Sequence, residues 1–378
     1  MKACKQKMKA AVHHLLKDPV LFASMAAAML SAFFVPPSKE YFDYLDLRVL
    51  CLLLSLMLVV AGLQKVGVFG ILIERLLERV HSTRSLAVIL VGVCFFSSML
   101  ITNDVSLLTF VPLAIMILTR IQKKKLLIPV IVMQTVAANL GSMLTPLGNP
   151  QNLYLYALSN MSIGQFLRVM CVPTAISFIM LAAMLLCIKS EPIDALPGNG
   201  TGIADAKRIL PWMFLFIVCL LAVLRIVPYG LAFLFVIAGA ILFDRTILAH
   251  ADYSLLLTFV FLFVCIGNIE NIPAVSVTLS SLVDGREIPV GIVFSQVMSN
   301  VPAAILLSKF TANYAALLIG VNVGGLGTLI ASMASLISYK LYASTPDAKA
   351  GKYLAVFTAI NLVFLGVLWG FAEAVAAT

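Results

Sequence analysis

Long uninterrupted apolar segments dominate the pattern of hydrophobic and polar positions along this chain. A helix needs about 20 apolar residues, each rising 1.5 Å, to cross a bilayer. Runs of this kind favour spanning helices over the alternating ten-residue strands of a membrane β-barrel. The pattern therefore predicts an all-α integral membrane protein with about nine spans. These lie near 19–36, 47–66, 126–158, 166–188, 209–227, 229–243, 253–268, 310–339 and 353–374.

Four apolar stretches are interrupted near their centres. The segments 126–158 and 310–339 are too long for one straight helix and carry glycine and asparagine in the middle, so we predict two broken helices. The stretches 85–119 and 288–308 have polar centres. Since both flanks of 85–119 are basic, that stretch must enter the membrane and return. We predict two re-entrant hairpins, each followed by a broken helix.

The distribution of positive charge indicates the topology. With a cytoplasmic N-terminus, 20 of the 26 lysines and arginines fall in cytoplasmic flanks, and the remaining 6 lie outside. This bias predicts a multi-pass protein of the cell (inner or plasma) membrane with its C-terminus outside. The same charge bias predicts that the two hairpins enter the membrane from opposite faces. The six outside residues are Lys39, Arg48, Arg168, Arg225, Arg286 and Lys309.

Composition excludes several other classes of protein. Hydrophobic residues make up 62% of the chain and charged residues 11%, against about 25% charged residues in soluble domains. A soluble nucleic-acid binder, a disulfide scaffold or a disordered chain is therefore excluded, despite a net charge of +9. The seven cysteines and four histidines show no metal-ligand or redox spacing. We expect no transition metal, no cofactor and no nucleic-acid partner, only the lipid bilayer and a small solute.

The two broken helices resemble one another in sequence. The first reads NLGSMLTPLGNPQNL from Asn139, and the second reads NVGGLGTLIASMASL from Asn322. Aligned without gaps, they pair Gly141 with Gly324, Thr145 with Thr328, Asn149 with Ser332 and Asn152 with Ser335.

The hairpins align as well, with SMLITNDVS from Ser98 matching SQVMSNVPA from Ser295. Thr102 then lies over Ser299, and Asn103 over Asn300. Matching residues, matching order and opposed charge predict an inverted repeat, which is an architecture of secondary transporters.

The interruptions predict a solute site. Inside hydrocarbon, non-helical backbone is tolerated only where protein or a water-filled cavity satisfies it, so the breaks at 102–105, 145–150, 299–302 and 328–332 should converge. Free N–H groups at helix ends favour a carboxylate or oxyanion, whereas carbonyls and hydroxyls favour Na⁺. The alternative is that the serine, threonine and asparagine residues at these breaks form hydrogen bonds between helices and bind no ligand. The candidate substrate ligands are Thr102, Asn103, Thr145, Pro146, Asn149, Asn152, Ser299, Asn300, Thr328, Ser332 and Ser335.

Asp104 is the one acidic residue at the centre of an apolar stretch. An intramembrane carboxylate is costly and indicates function by default. Desolvation would let Asp104 carry a proton, whereas a bound cation would keep it ionised. A structural role in capping the following helix is compatible with either. We therefore include Asp104 among the substrate ligands and as the candidate for proton coupling.

The motifs TND and SNVP at the hairpin tips, followed by TPLGNPQN and GTLIASMAS, resemble the ion transporter superfamily. That group holds divalent-anion/sodium symporters, citrate transporters, arsenite permeases and one class of sodium/proton antiporters. The resemblance implies two cation sites, with Ser98, Thr102, Asn103 and a carbonyl near Gly148 in the first. The second would use Ser295, Ser299, Asn300 and a carbonyl near Ala331. The Asn-Asp tip departs from the Ser-Asn-Thr of the divalent-anion branch and is more similar to the arsenite-permease and antiporter branches.

The resemblance also implies an elevator mechanism in a homodimer. We predict a basic cytoplasmic N-terminus (1–18), a scaffold (19–84 and 209–287), a transport domain (85–188 and 288–378) and a cytoplasmic loop (189–208). The expected function is transport of a small anion, a di- or tricarboxylate, coupled to Na⁺ or H⁺. A sodium/proton antiporter and an arsenite-type efflux permease, both using Asp104, remain alternatives. Without a catalytic constellation, an enzyme is not expected.

Overall fold

The computed structural model describes residues 19–70, 80–193, 206–346 and 348–376. The predicted N-terminal segment 1–18 and most of the predicted loop 189–208 lie outside them. The regular structure of the described part is helical: α1 Pro19–Ala32, α2 Leu47–Lys65, α3 Thr83–Ser97, α4 Asn103–Arg120, α5 Leu127–Ser142, α6 Pro150–Leu158, α7 Ile163–Leu186, α8 Ala206–Val223, α9 Tyr229–Phe243, α10 Tyr253–Glu270, α11 Pro273–Val283, α12 Glu287–Met298, α13 Asn300–Leu307, α14 Tyr314–Val323, α15 Met333–Ala343 and α16 Ala350–Ala376.

Six of the described helices are long and apolar enough to cross a membrane. They are α2, α4, α5 with the short 3₁₀ turn before it, α7, α10 and α16. Shorter apolar helices make up most of the remainder. The all-α prediction is confirmed for the described residues, and the helix lengths are those of an integral membrane protein.

The chain forms two compact units. Of the described residues, unit one comprises 19–62 and 211–284, and unit two comprises 63–70, 80–193, 206–210, 285–346 and 348–376. In unit one, α10 packs along α1. The buried Asn268 amide donates hydrogen bonds to the Ser31 hydroxyl (2.9 Å) and the Tyr41 hydroxyl (2.9 Å). This polar contact fixes the register of the two helices.

Unit two contains the same order of elements twice. Two helices joined at a tip (α3–α4, then α12–α13) precede two helices separated by a break (α5–α6, then α14–α15), and a long helix (α7, then α16) ends each series. α3 packs on α5, and α12 packs on α14. Helix pairs thus occupy the sequence ranges of the two predicted hairpins and the two predicted broken helices.

The helix α11 is absent from the spans predicted above. Pro273 stands in its first turn, where a missing N–H costs nothing. The eleven residues of α11 include Ser276, Thr278, Ser280 and Ser281. This segment is too short and too polar to stand out as a membrane-length apolar run.

A clasp of polar contacts ties the start of α3 to the segment after α7. The Thr83 hydroxyl donates to the carbonyl of Lys189 (2.7 Å) and accepts from the N–H of Glu191 (3.0 Å). The Glu191 carboxylate also pairs with the Lys123 ammonium at 2.5 Å. Hydrogen bonding to Lys123, and then the charge of that ammonium, lowers the pKa of Glu191 below its ordinary value. The base of the first hairpin is therefore tied to the end of α7.

Candidate functional site

The hairpin tips and the two breaks all belong to unit two. The first tip is residues 98–102 and the second is the single residue Ser299, while the breaks are residues 143–149 and 324–332. Asn103 and Asn300, the first residues of α4 and α13, are both buried. Both asparagines are therefore away from the exterior surface, and this is what an intramembrane site requires of its residues.

Each hairpin tip is bonded through its backbone to the break that follows it. The N–H of Asn103 donates to the carbonyl of Gly148 at 3.1 Å, and the N–H of Asn300 donates to the carbonyl of Ala331 at 3.0 Å. Gly148 and Ala331 occupy aligned positions in the two broken-helix sequences. They are also the two residues whose carbonyls the sequence resemblance nominated as cation ligands.

The two aligned threonines make equivalent contacts. The Thr145 hydroxyl donates to the carbonyl of Met99, and the Thr328 hydroxyl donates to the carbonyl of Gln296 at 3.2 Å. Met99 and Gln296 are themselves aligned in the hairpin sequences. Both threonines thus tie a break to its own hairpin. Thr145 is half-buried, whereas Thr328 is exposed.

Glycine is required where each broken helix meets its hairpin. A Cβ atom on Gly141 would lie 2.0 Å from the Phe95 carbonyl oxygen and 2.8 Å from the Ser98 Oγ. At the aligned Gly324, a Cβ atom would lie 2.8 Å from the Ser295 Oγ. Close backbone approach therefore brings Ser98 and Ser295, both predicted cation ligands, against the breaks.

Asn139 and Asn322 connect the two series of helices. The side-chain oxygen Oδ1 of Asn139 accepts from the Asn103 amide (3.0 Å) and the Ser332 hydroxyl (3.0 Å). The side-chain amide of Asn139 donates to the Ser335 hydroxyl (3.3 Å). The side-chain amide of the aligned Asn322 donates to the side-chain oxygen Oδ1 of Asn152 at 2.7 Å. The contact from Asn139 to Ser335 thus has its counterpart in the contact between Asn322 and Asn152.

The site prediction did not include these two asparagines. Each lies in a helix before a break, and the prediction was confined to the interruptions. The sequence signal was present, because Asn139 and Asn322 head the two aligned segments. Through Asn139, the network reaches from the first tip to Ser332, whose chain neighbour Ala331 accepts from Asn300.

Much of the remaining hydrogen-bonding capacity holds the first break in shape. The Asn152 amide donates to the carbonyls of Ser142 (3.2 Å), Met143 (3.3 Å) and Thr145 (3.1 Å). The Asn149 amide donates to the Ser142 hydroxyl at 2.6 Å. Pro146 is buried in the same turn. Asn149 and Asn152 therefore form hydrogen bonds within the protein, as the alternative without a ligand expects.

Two amide oxygens at the breaks remain available. The side-chain oxygens of Asn149 and Asn322 are buried and accept no hydrogen bond from the part of the chain that the structure describes. A buried, unsatisfied oxygen costs about 1–3 kcal/mol, and a cation or a donor group of a solute would remove that cost.

Asp104 lies in the first turn of α4 and is half-buried. Its N–H donates to the side-chain oxygen Oδ1 of Asn103 at 2.9 Å. A carboxylate at this end of a helix interacts favourably with the helix dipole. Thr102 precedes the helix as its N-cap residue but makes no side-chain capping bond. Its hydroxyl therefore does not cap the helix.

The second tip is strained where the first is not. Ser299 has φ +75° and ψ 154°, whereas the aligned Thr102 has φ −56° and ψ 152°. A non-glycine residue in this region costs of order 1–3 kcal/mol. The Ser299 hydroxyl lies 3.4 Å from the Ala331 carbonyl oxygen and 3.5 Å from the Asn300 side-chain oxygen. This conformation therefore keeps the hydroxyl beside two oxygen atoms.

The site is electrically neutral apart from Asp104. Residues 98–103, 143–149, 299–300 and 324–332 contain no lysine, arginine or histidine. Four helices begin there, at Asn103, Pro150, Asn300 and Met333. Helix N-termini offer N–H groups and partial positive charge to an anion, while the neighbouring carbonyl and hydroxyl oxygens suit a hard cation.

Comparison with known proteins supplies the family. Residues 14–334 match the citrate transporter family. The chain is 30% identical to the uncharacterized transporter MJ0456 of Methanocaldococcus jannaschii, over 94% of this chain and 97% of that protein. It is 34% identical to the inner membrane protein YbiR of Escherichia coli, over 82% of this chain and 84% of that protein. It is also 28% identical to the silicon efflux transporter LSI3 of Oryza sativa, over 50% of this chain and 38% of that protein.

Proposed function

Because the chain belongs to the citrate transporter family, we propose that it is a secondary active transporter for a small anion, a di- or tricarboxylate, coupled to Na⁺ or H⁺. Two of the relatives named above are described as transporters, and the helices of this chain are those of a multi-pass membrane protein. The observation that carries the proposal is the pairing of each hairpin tip with its break, through Asn103 to Gly148 and through Asn300 to Ala331.

The paired contacts support an inverted repeat. Three kinds of hydrogen bond recur at aligned positions: tip to break, threonine to hairpin carbonyl, and asparagine to the opposite half. Such recurrence is expected of two copies related by a pseudo-two-fold axis, with the ligand sites at their junction.

The neutral lining explains why coupling to cations would be needed. A di- or tricarboxylate brings two or three negative charges into a region without a basic side chain, and buried charge is costly without a partner. Two bound cations would supply the missing positive charge. We assign the first to Ser98, Thr102, Asn103 and the Gly148 carbonyl. The second site comprises Ser295, Ser299, Asn300 and the Ala331 carbonyl.

An elevator movement is the mechanism we propose. Unit two holds every candidate ligand and has its own packed interior. It can therefore carry the site as one body, while unit one serves as the scaffold. We further propose a homodimer assembled through the scaffold, with the N-terminus cytoplasmic and the C-terminus outside.

A neutral oxyacid is the second candidate substrate. One relative is a silicon efflux transporter, and a site lined by amides and hydroxyls can bind an undissociated hydroxylated solute without any charge compensation. Efflux of an arsenite-type solute would then replace carboxylate uptake. Sodium/proton exchange at Asp104 is a separate alternative.

Transport by the purified full chain in proteoliposomes tests these proposals. Citrate and other di- and tricarboxylates are compared with arsenite and silicic acid, under separately imposed Na⁺ and H⁺ gradients. We expect carboxylate accumulation driven by one of the two gradients. Accumulation of the oxyacids alone would establish the second candidate, and transport indifferent to both gradients would refute coupling.

The Asp104→Asn variant separates the coupling roles. A carboxylate carrier should keep transport and lose only its dependence on pH, whereas a sodium/proton exchanger should lose all activity. Asp46→Asn is the matched control, because the Asp46 carboxylate caps α2 in unit one by accepting from the N–H of Val49 (3.0 Å). We expect the control to transport as the unmodified chain does.

A further inference from the structure

Unit two contains a cavity whose wall includes no residue of the hairpin tips or breaks. Its volume is about 440 Å³, and helices α7, α12, α14 and α16 form its wall. The wall is mainly apolar, with Val172, Ile288, Ile319 and Phe371 among its residues. None of the candidate transport ligands lines it.

Arg168 places a positive charge on this apolar cavity. The arginine is exposed and forms no ion pair with any residue that the structure describes. On α12, Glu287 precedes the wall residue Ile288. Glu287 is buried and accepts a hydrogen bond from the Thr311 hydroxyl (2.8 Å).

On α16, Glu373 follows the wall residue Ala372; it is exposed and accepts a hydrogen bond from the Trp369 indole N–H (2.9 Å). Neither Glu287 nor Glu373 lines the cavity, and Arg168 is the one charged residue of its wall.

The helices that form the cavity also turn apolar side chains outward. Leu167, Ile179 and Val363 are large and exposed on α7 and α16. In a membrane protein such surfaces face lipid. The cavity therefore lies between helices that a phospholipid reaches directly, and an arginine there can pair with a phosphate through two parallel N–H groups.

We propose that this cavity binds an anionic phospholipid. The guanidinium of Arg168 pairs with the lipid phosphate, and the glycerol and the first part of an acyl chain fill the apolar wall. A free inorganic anion would leave the apolar wall unfilled, and a zwitterionic phospholipid would bring a cationic group of its own beside Arg168. The proposal concerns binding and holds whichever solute the hairpins carry.

Native mass spectrometry of the full chain tests the charge requirement. The protein is released from nanodiscs that contain equal amounts of phosphatidylglycerol and phosphatidylcholine, and the retained lipids are counted. One arginine near a lipid surface contributes about 1 kcal/mol, which is about fivefold in affinity. We expect Arg168→Gln to lower phosphatidylglycerol retention about fivefold, and Arg168→Lys to keep most of it.

Two further variants control the experiment. Arg245→Gln removes an exposed arginine that does not line the cavity, so retention should stay unchanged. Ala316→Phe fills the wall and should lower retention of both lipids. Size-exclusion elution of each variant verifies folding. If Arg168→Gln keeps the phosphatidylglycerol preference of the unmodified chain, the proposal is overturned, whatever the filled-cavity variant does.

Discussion

At the scale of single residues, the site depends on where a side chain is absent as much as on where one is present. Gly141 allows the backbone of α5 to touch that of α3 at Phe95, and Gly148 lies against the backbone of Ser142. Gly92 of α3, by contrast, has nothing within 4 Å of an added Cβ. Glycine is therefore required at some helical positions of unit two and replaceable at others.

We expect Gly141→Ala to destabilise the chain and Gly92→Ala to stabilise it. The Gly141 substitution forces apart two helices and costs about 1–3 kcal/mol as overpacking. The Gly92 substitution gains about 1 kcal/mol of helix propensity. Thermal unfolding in detergent measures both. A Gly141→Ala variant as stable as the unmodified chain would contradict the close approach of α3 and α5.

The Asn139→Ala variant should lose transport. The substitution removes the acceptor of Asn103 and Ser332 together, so the first tip loses its link to the second break. Asn268→Ala is the matched control, since Asn268 is an equally buried, hydrogen-bonded asparagine of unit one. Each should cost about 1–3 kcal/mol of stability. Uptake per folded molecule should fall only for Asn139→Ala, and equal losses would assign Asn139 a purely structural role.

At the scale of elements, sequence predicted the interruptions better than their details. Proline, glycine and asparagine mark the breaks, because these residues disfavour a continuing helix. The tip at Ser299 has no such mark, since a positive φ at serine comes from tertiary packing. Tertiary packing also determines which side-chain amides stay available to bind a solute. The Asn152 amide donates to three backbone carbonyls, and this role depends on the folded turn. The family resemblance pointed to the carbonyls near Gly148 and Ala331 as cation ligands, and in the structure these carbonyls accept the N–H groups of Asn103 and Asn300. Their role as cation ligands stays a prediction.

The clasp between α3 and the end of α7 should respond to pH. The folded-state pKa of Glu191 is lowered, so its ion pair adds stability above the ordinary pKa and loses it as pH falls through the folded value. The effect should be small, because the carboxylate is solvated. We expect the unmodified chain to melt slightly above Glu191→Gln at pH 7. The difference should vanish once the pH falls below the lowered folded-state pKa of Glu191, and a difference that persists in that acid range would exclude the ion pair as its cause.

At the scale of the whole molecule, the two series of helices depend on one another. Asn152 belongs to the first series and Asn322 to the second, and they meet at 2.7 Å in the interior. Order, repeated sequence and charge bias were enough to predict two matching series. The specific asparagine pairs that join them were not predicted, because contacts between distant segments follow from the fold.

A double-mutant cycle should detect this dependence. Coupling between contacting residues is about 0.5–3 kcal/mol, so Asn152→Ala and Asn322→Ala together should cost less than the sum of the two single variants. The control cycle combines Asn152→Ala with Ser344→Ala. The Ser344 hydroxyl bonds locally, to the carbonyl of Leu341, so the effects of these two substitutions should add. Chemical unfolding supplies the free energies, and strict additivity of the asparagine pair would argue against contact in the folded protein.

The uncharged lining of the breaks has an electrical consequence. If the protein adds no fixed basic group to what moves, the transient charge movement recorded across a voltage-clamped bilayer reports the summed valence of the bound cargo and driving ions. The half-buried Asp104 would be the sole correction among these residues, and its neutralisation to Asn would change that transient charge by the amount that one carboxylate contributes. Such recordings would count the charges that accompany each movement of the loaded site, for any solute.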